Sequence, residues 1–461
     1  FIPAIGWSNN KVPVMLPNGW SVMPAGVTPV NLGTMPIRML NDPSGRWIIT
    51  QQARGIERAG GDYYIVVLDA KDGQLAHRIP VPGVYNGMAF SGKGQILFVS
   101  GGPAGTVYRF AFDPSSGALS KEANVDMKPF SQGGQFGRPG HGPPAAWVGG
   151  VAVSEDGNTI YAAAMSDNAV LARDARLGVS KWTTTVSRFP YEIVRDPKHG
   201  KLFVTSWTTS VVDVLLESTG RRLATIHVAS HPNAAVLSRD AGTLYVACSY
   251  ANQVAVIDTE NNRVRRLIDV GLYPGSPVGS TPVGLALTND DRYLFVASAD
   301  NNAVMMVDTS TGEVVGAVPT GWYPTTVALS ADDRRLFIIS GMGSGVWAAD
   351  FAIPARPFDP KNTTPEKKQA FYSVYDGQQD ALLQVLPFPA QTMAANGLAA
   401  VRKNSPYRPD SARRPAKLPP IKHVVYIIRE NKTYDSVMGD NPRGNGDPTL
   451  TLFGKKITPN A

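Results

Sequence analysis

Residues 231–271 read HPNAAVLSRDAGTLYVACSYANQVAVIDTENNRVRRLIDVG. The stretch divides into four short strand-like runs, AAVLS, TLYVACS, VAVIDT and VRRLIDVG, with RDAG, SYANQ and ENNR between them. Each run alternates or is β-branched, and Asp, Asn and Gly fill the gaps as tight hairpins require. Residues 281–321, TPVGLALTNDDRYLFVASADNNAVMMVDTSTGEVVGAVPTG, repeat the same order of runs and turns. A four-stranded unit that recurs with this turn chemistry is a propeller blade.

The second run of each unit places an aromatic between aliphatic residues, which counts the blades. These residues are Trp47, Phe98, Tyr161, Phe203, Tyr245, Phe295 and Phe337, spaced by 51, 63, 42, 42, 50 and 42. A base period of 42 with insertions suits four-stranded blades, so seven anchors predict an all-β, seven-bladed propeller. The aromatics read as packing between blades and not as a cofactor stack. Residues 18–33, NGWSVMPAGVTPVNLG, resemble the last strand of a blade with no partners before it. Such a strand closes the ring by completing the last blade, leaving no open seam. The long spacings place insertions at 51–62, 131–145 and 273–280. Loops of this kind carry binding in propellers, and Arg138 and His141 are the residues of the second insertion with catalytic potential. In the seventh blade, LFIIS and GVWAADF are followed by a polar stretch, 352–379, before ALLQVLPFP (381–389) restores the β pattern.

Composition limits the alternatives. The chain has 461 residues with 45 Gly and 37 Pro and only 18% charged residues, as a turn-dense β protein has. No run approaches the ~18 apolar residues of a membrane helix. The formal charge is +7, yet residues 402–422 hold seven Lys/Arg and one Asp, so the propeller itself is close to neutral. That basic, Pro-rich segment reads as a solvated linker over 402–420, and nucleic-acid binding is not expected. Cys248 is the single cysteine; it excludes an intrachain disulfide and reads as a small buried hydrophobe. His227 and His231 are separated by a strand end, about 13 Å along an extended chain, too far to share one ion. The acidic residues Asp240, Asp290, Asp332 and Asp333 fall in hairpin turns, so a lactonase- or phytase-like channel of converging carboxylates ranks last among the readings.

The repeats LYVACSYANQVAVID (244–258) and LFVASADNNAVMMVD (294–308) resemble the YVTN family of seven-bladed propellers over residues 18–390. The propeller is assigned to residues 1–401. After the linker, 421–461 changes character. IKHVVYII is an apolar run of the kind buried on both faces of a parallel sheet, and it ends in Arg429–Glu430–Asn431–Lys432–Thr433–Tyr434–Asp435. Glu430 and Asn431 offer hard oxygen donors suited to a divalent cation. This stretch resembles the opening strand of the phosphoesterase family of the alkaline phosphatase superfamily, which includes acid phosphatases and phospholipases C. The resemblance implies an α/β domain, a divalent metal held in part by Glu430 and Asn431, and hydrolysis of a phosphate monoester or a phospholipid-type diester. The family's Arg is Lys432 here, which weakens any bidentate role. The family's nucleophile is expected beyond Ala461, so the missing catalytic half, or a protein partner, is expected to pack on 421–461. Phe1 in first place and the resemblance together suggest an exported protein, secreted, periplasmic or at the cell surface. The alternative is a non-enzymatic surface or scaffold propeller that binds a protein or another ligand.

Overall fold

The computed structural model describes residues 14–16, 18–30, 32–33, 35–52, 63–127, 147–343, 381–388, 391–407, 421–425, 437–444, 448, 451 and 454–457. The chain divides into two units, one of Phe1–Val346 with Gln379–Arg408, the other of Trp347–Gln378 with Pro409–Ala461.

The first unit is a seven-bladed β-propeller. Blade 5, residues 232–269, has its strands at Pro232–Leu237, Thr243–Cys248, Gln253–Asp258 and Arg263–Asp269, each paired antiparallel with the next. Six blades are four-stranded in this order, and blade 2 carries an extra short strand, Val125–Asp126, beside Thr106–Val107. The core is distributed as seven clusters, one between each pair of neighbouring blades. Second-strand aromatics fill these wedges. Phe98 packs against Val148 and Ile160 of blade 3, Phe203 against Leu244 and Val246 of blade 5, and Phe337 against Ile48 and Val66 of blade 1. Phe98, Phe203, Phe295 and Phe337 are all at most 1% exposed.

In blade 1 the anchor is displaced. In blades 4 to 7 the anchor pairs with the fourth residue after the proline that opens the inner strand, as Val236 pairs with Tyr245. The same count in blade 1 pairs Leu40 with Ile49. Trp47 is therefore two residues early and on the same face by alternation. It is buried all the same, its indole N–H donating to the Pro114 carbonyl at 2.8 Å.

Closure follows the expected plan on a shorter strand. Among the described residues of 18–33, Val27–Thr28 is the strand that joins blade 7, pairing with Gln384 and Leu383, while Ser21–Val22 forms a hairpin with Val14–Met15. Gln384 is fully buried; its amide donates to the carbonyls of Ala25 and Pro319, and its oxygen accepts from the Gly321 N–H. Gly26 has φ +66°, and a Cβ there would lie 2.4 Å from Leu386 Cδ2. The third strand of blade 7 is Leu382–Pro387, paired directly with Arg335–Ser340, and GVWAADF (345–351) lies outside the described residues.

A helix, Gln391–Asn404, lies along the outer strand of blade 6, Glu313–Pro319, and passes through residue 402, where composition places the start of a linker. Val401 and Leu398 pack with Leu16, Trp20, Leu272 and Ala317. Arg402 donates from Nε to the Leu272 carbonyl and stands over the Tyr273 ring. Among the described residues no helix is long and apolar enough to cross a membrane.

In the second unit, Asp440 accepts the Lys455 N–H at 3.0 Å beside the single turn Gly454–Ile457. Ile421–Val425, the start of the expected buried strand, is in no strand, and Val424 and Val425 are 82% and 83% exposed. A strand buried on both faces needs neighbouring strands and covering helices, and the described residues of this unit do not supply them.

Two substitutions test this architecture. Phe337→Ala is expected to lower unfolding free energy by about 3–5 kcal/mol in urea titrations, the cost of a large buried aromatic. Gly397→Val, where even a Cβ would lie 1.8 Å from the Ala317 carbonyl oxygen, is expected to release the helix. The readout is faster proteolytic cleavage between residues 388 and 408, with the blades remaining intact.

Candidate ligand site at the mouth of the propeller channel

An antiparallel blade sends its connections to two faces. Those joining strands one to two, and three to four, are short: Pro197–Gly200 has four residues and Ser238–Gly242 five. The longer insertions all fall in the other class. Residues 53–62 and 341–381 join second to third strands in blades 1 and 7; residues 127–147 and 270–281 join one blade to the next. The described strand ends that these connections join therefore lie at the face where the inner strands begin. Arg138 and His141 belong to one of these connections and lie outside the described residues.

The short-loop face explains its acidic residues. Asp240 accepts from Ser238 Oγ and the Gly242 N–H, Asp290 from Thr288 and Arg292, and Asp332 from Ser330 and Arg334. Asp333 accepts from the Asn289 N–H of the preceding blade. These bonds hold the carboxyls of Asp240, Asp290 and Asp332 below the usual range, whereas burial raises Asp333. The Asp side chains serve the turns, as their spacing predicts.

On the opposite face the inner strands open in an unusual backbone. Five of them start with proline, and the residue before it is left-handed: Met35, Phe189, His231, Thr281 and Tyr323, with φ between 47° and 62°. Bulky residues seldom adopt this region, and proline further restricts its predecessor. Each outlier stores about 1–3 kcal/mol and needs surrounding structure to hold it. The hold is visible in the second strand's exit: the Trp207, Ser249, Ala299 and Gly341 N–H groups donate to the carbonyls of Phe189, His231, Thr281 and Tyr323.

These turns and their neighbours collect aromatic rings. Trp207 meets His231 edge-on at 4.4 Å, His231 stacks on Tyr250 at 4.2 Å, and Phe189 lies 5.8 Å from Trp207. Across blades 2 to 4, Tyr85 is edge-on to Trp147 at 5.5 Å and to Tyr191 at 6.4 Å. Burial raises the phenol pKa of both Tyr85 and Tyr191, and the two share a hydrogen bond. His231 belongs to this cluster, with Nδ1 at 2.7 Å from Ser230 Oγ, while His227 ends the outer strand Arg222–His227.

One ion pair crosses the ring. Arg38 of blade 1 donates from Nη1 to Glu192 Oε2 of blade 4. Glu192 is 1% exposed, its other oxygen accepts the Ile193 N–H, and its own N–H donates to Thr205 Oγ1. Burial raises the Glu192 pKa, and the Arg38 charge only partly offsets that. Sequence reasoning missed both residues. A signal was present: each sits two places after its inner-strand proline, where blades 5, 6 and 7 have Ala234, Gly284 and Thr326.

Glu430 and Asn431, the expected metal ligands, lie outside the described residues. Among the described residues no group of three or more His, Cys, Asp or Glu side chains is placed to hold a metal ion. The channel carboxylate of Glu192 is engaged by Arg38, so the described channel does not offer a lactonase-type cluster of acidic ligands.

Fold and face thus define a seven-bladed β-propeller with an aromatic channel mouth. A family model described as the SMP-30/Gluconolactonase/LRE-like region matches residues 39–208, from the inner strand of blade 1 to the second strand of blade 4 and the turn after it. Among solved structures, the chain is similar to one titled Kuenenia stuttgartiensis Hydrazine Synthase, with TM-score 0.53 and 18% identity over 68% of this chain and 94% of that one. At that identity the likeness is one of fold. Comparison with curated proteins gives no match.

Cys248 is fully buried, and burial pushes its thiol from 9.0 up to about 12. Its contribution to stability is therefore complete below pH 9 and lost between pH 9 and about 12, where only the unfolded chain ionises. A disulfide-exchange reagent at pH 8 is expected to leave the native thiol unmodified over an hour and to titrate it fully in denaturant.

Proposed function

We propose that this chain is the ligand-binding propeller of an exported, metal-dependent phosphoesterase that acts on a phosphate monoester or a phospholipid-type diester. The binding role rests on one observation: the left-handed turns, the aromatic cluster and the described ends of the long connections share the face at the channel mouth. The hydrolytic role rests on the sequence at 429–435, RENKTYD. There Glu430 and Asn431 supply oxygen donors of the kind a hard divalent cation takes. Such an ion, when bound, supplies Lewis acidity at the phosphoryl oxygens. Lys432 adds a point charge rather than a planar fork beside it. The propeller's part is to bind and orient what the hydrolytic segment acts on.

A second reading, a non-enzymatic surface or scaffold propeller, is favoured by the exposure of Val424 and Val425 outside any strand. One experiment separates the two. The protein purified from its natural source is assayed on p-nitrophenyl phosphate and bis(p-nitrophenyl) phosphate, with and without chelator. The phosphoesterase reading expects chelator-sensitive hydrolysis, and Glu430→Ala should reduce kcat/KM and metal content about 100-fold or more. Hydrolysis absent with every divalent ion, or unchanged in Glu430→Ala, overturns it and leaves the scaffold.

A further inference from the structure

Arg38 and Glu192 are not a self-contained pair. Of the roughly five N–H donors of a guanidinium, one reaches Glu192, and the others have no partner among the described residues. The Arg38 side chain is 26% exposed, so those donors are open to the channel, whereas the Glu192 carboxylate has both oxygens occupied.

The neighbouring polar groups are also unfilled. Gln51 is the cross-strand partner of Arg38, so both side chains leave the same face of blade 1. Gln51 is fully buried, yet neither its amide oxygen nor its amide nitrogen has a hydrogen-bond partner. Asn86 of blade 2 is 3% exposed; its nitrogen donates to the Tyr191 carbonyl, next to Glu192, and its oxygen is unpartnered. Buried polar groups in native proteins are almost always satisfied, so these atoms need an occupant.

The chemistry of the vacant groups selects that occupant. Unspent donors on Arg38 and Gln51 outnumber the acceptors Gln51 Oε1 and Asn86 Oδ1, and the donor side carries the guanidinium charge. A planar guanidinium fork with a free edge takes an oxyanion through two parallel hydrogen bonds. A hydroxyl or singly protonated oxygen on the same ligand would serve the two amide acceptors. Glycines hold the neighbouring backbones close: a Cβ on Gly150 would lie 2.8 Å from Glu192 Cα, and one on Gly87 would lie 2.3 Å from the Gly149 carbonyl.

We propose that Arg38, with Gln51 and Asn86, forms an oxyanion site in the propeller channel for the phosphate or carboxylate group of a small molecule, and that Glu192 fixes the guanidinium in place. Anion binding by Arg38 does not depend on the metal-dependent chemistry proposed at 429–435 and stands if that chemistry fails.

The test is calorimetric titration of the full chain with inorganic phosphate and with acetate at constant ionic strength. Arg38→Ala alone would leave the Glu192 carboxylate buried without its counter-charge, so the charge is removed in the neutral pair Arg38→Gln/Glu192→Gln, with unfolding midpoints recorded alongside. Binding of one or both anions by the parent is expected, with the better ligand naming the source. The neutral pair should lose at least about tenfold in affinity, the loss of a charge-assisted bond. Gln51→Leu should weaken phosphate by a few-fold without moving the unfolding midpoint downward. Glu192→Gln alone should tighten anion binding, because the competing carboxylate charge is gone; a merely structural ion pair predicts no such gain. Failure of both anions to bind at about 10 mM, or equal affinity in the parent and the neutral pair, overturns the site.

Discussion

The structure depends on the packing of each blade's second strand into its neighbour. No blade encloses a core of its own; every cluster draws residues from two sheets, as Phe337 of blade 7 does with Ile48 and Val66 of blade 1. A blade removed from the ring exposes both its faces, so the hydrophobic gain belongs to the closed circle and not to any single repeat. This is why the inner strands tolerate backbone that would be costly elsewhere. Left-handed His231 and Tyr323 each precede a proline whose strand is already fixed by the wedges on either side.

The same arrangement separates stability from recognition. Short turns closed by Asp side chains complete one face, and a substitution there meets a local hydrogen bond. On the other face the connections vary in length without disturbing strand pairing. Blade 7 accepts residues 341–381 between its second and third strands and still keeps register from Arg335–Pro387 to Ser340–Leu382. Chemistry accumulates where length is free, which places the aromatic mouth and the Arg38–Glu192 pair at the same end.

Much of the fold was legible because its determinants are local. The period of aliphatic–aromatic runs and Asx turns reports on hairpins within some 40 residues, and it recovered seven blades and the closing strand. It failed where a local signal had a tertiary cause. Trp47 mimicked the anchor held by Ile49 because both lie on one face of the same strand. The helix Gln391–Asn404 went unread because Gly397 normally weakens a helix, whereas here it permits contact with the Ala317 carbonyl. The channel pair was invisible to pattern reading, since its members are 154 residues apart and meet only when the ring has formed. Aligning the repeats would have shown two charges at a position of small residues, but not that they are of opposite sign for a reason.

The tie between Gln384 and Ala25 spans 359 residues. During synthesis the first blade is complete long before its neighbour across the seam exists. One side of blade 1, with Ile48, Val66 and Leu68, stays uncovered until Phe337 and Leu383 leave the ribosome. The nascent chain thus carries an open apolar sheet face from the completion of blade 1 until residues 382–387 emerge. Slow elongation between blade 1 and residue 387 would prolong the interval in which this face is open to aggregation.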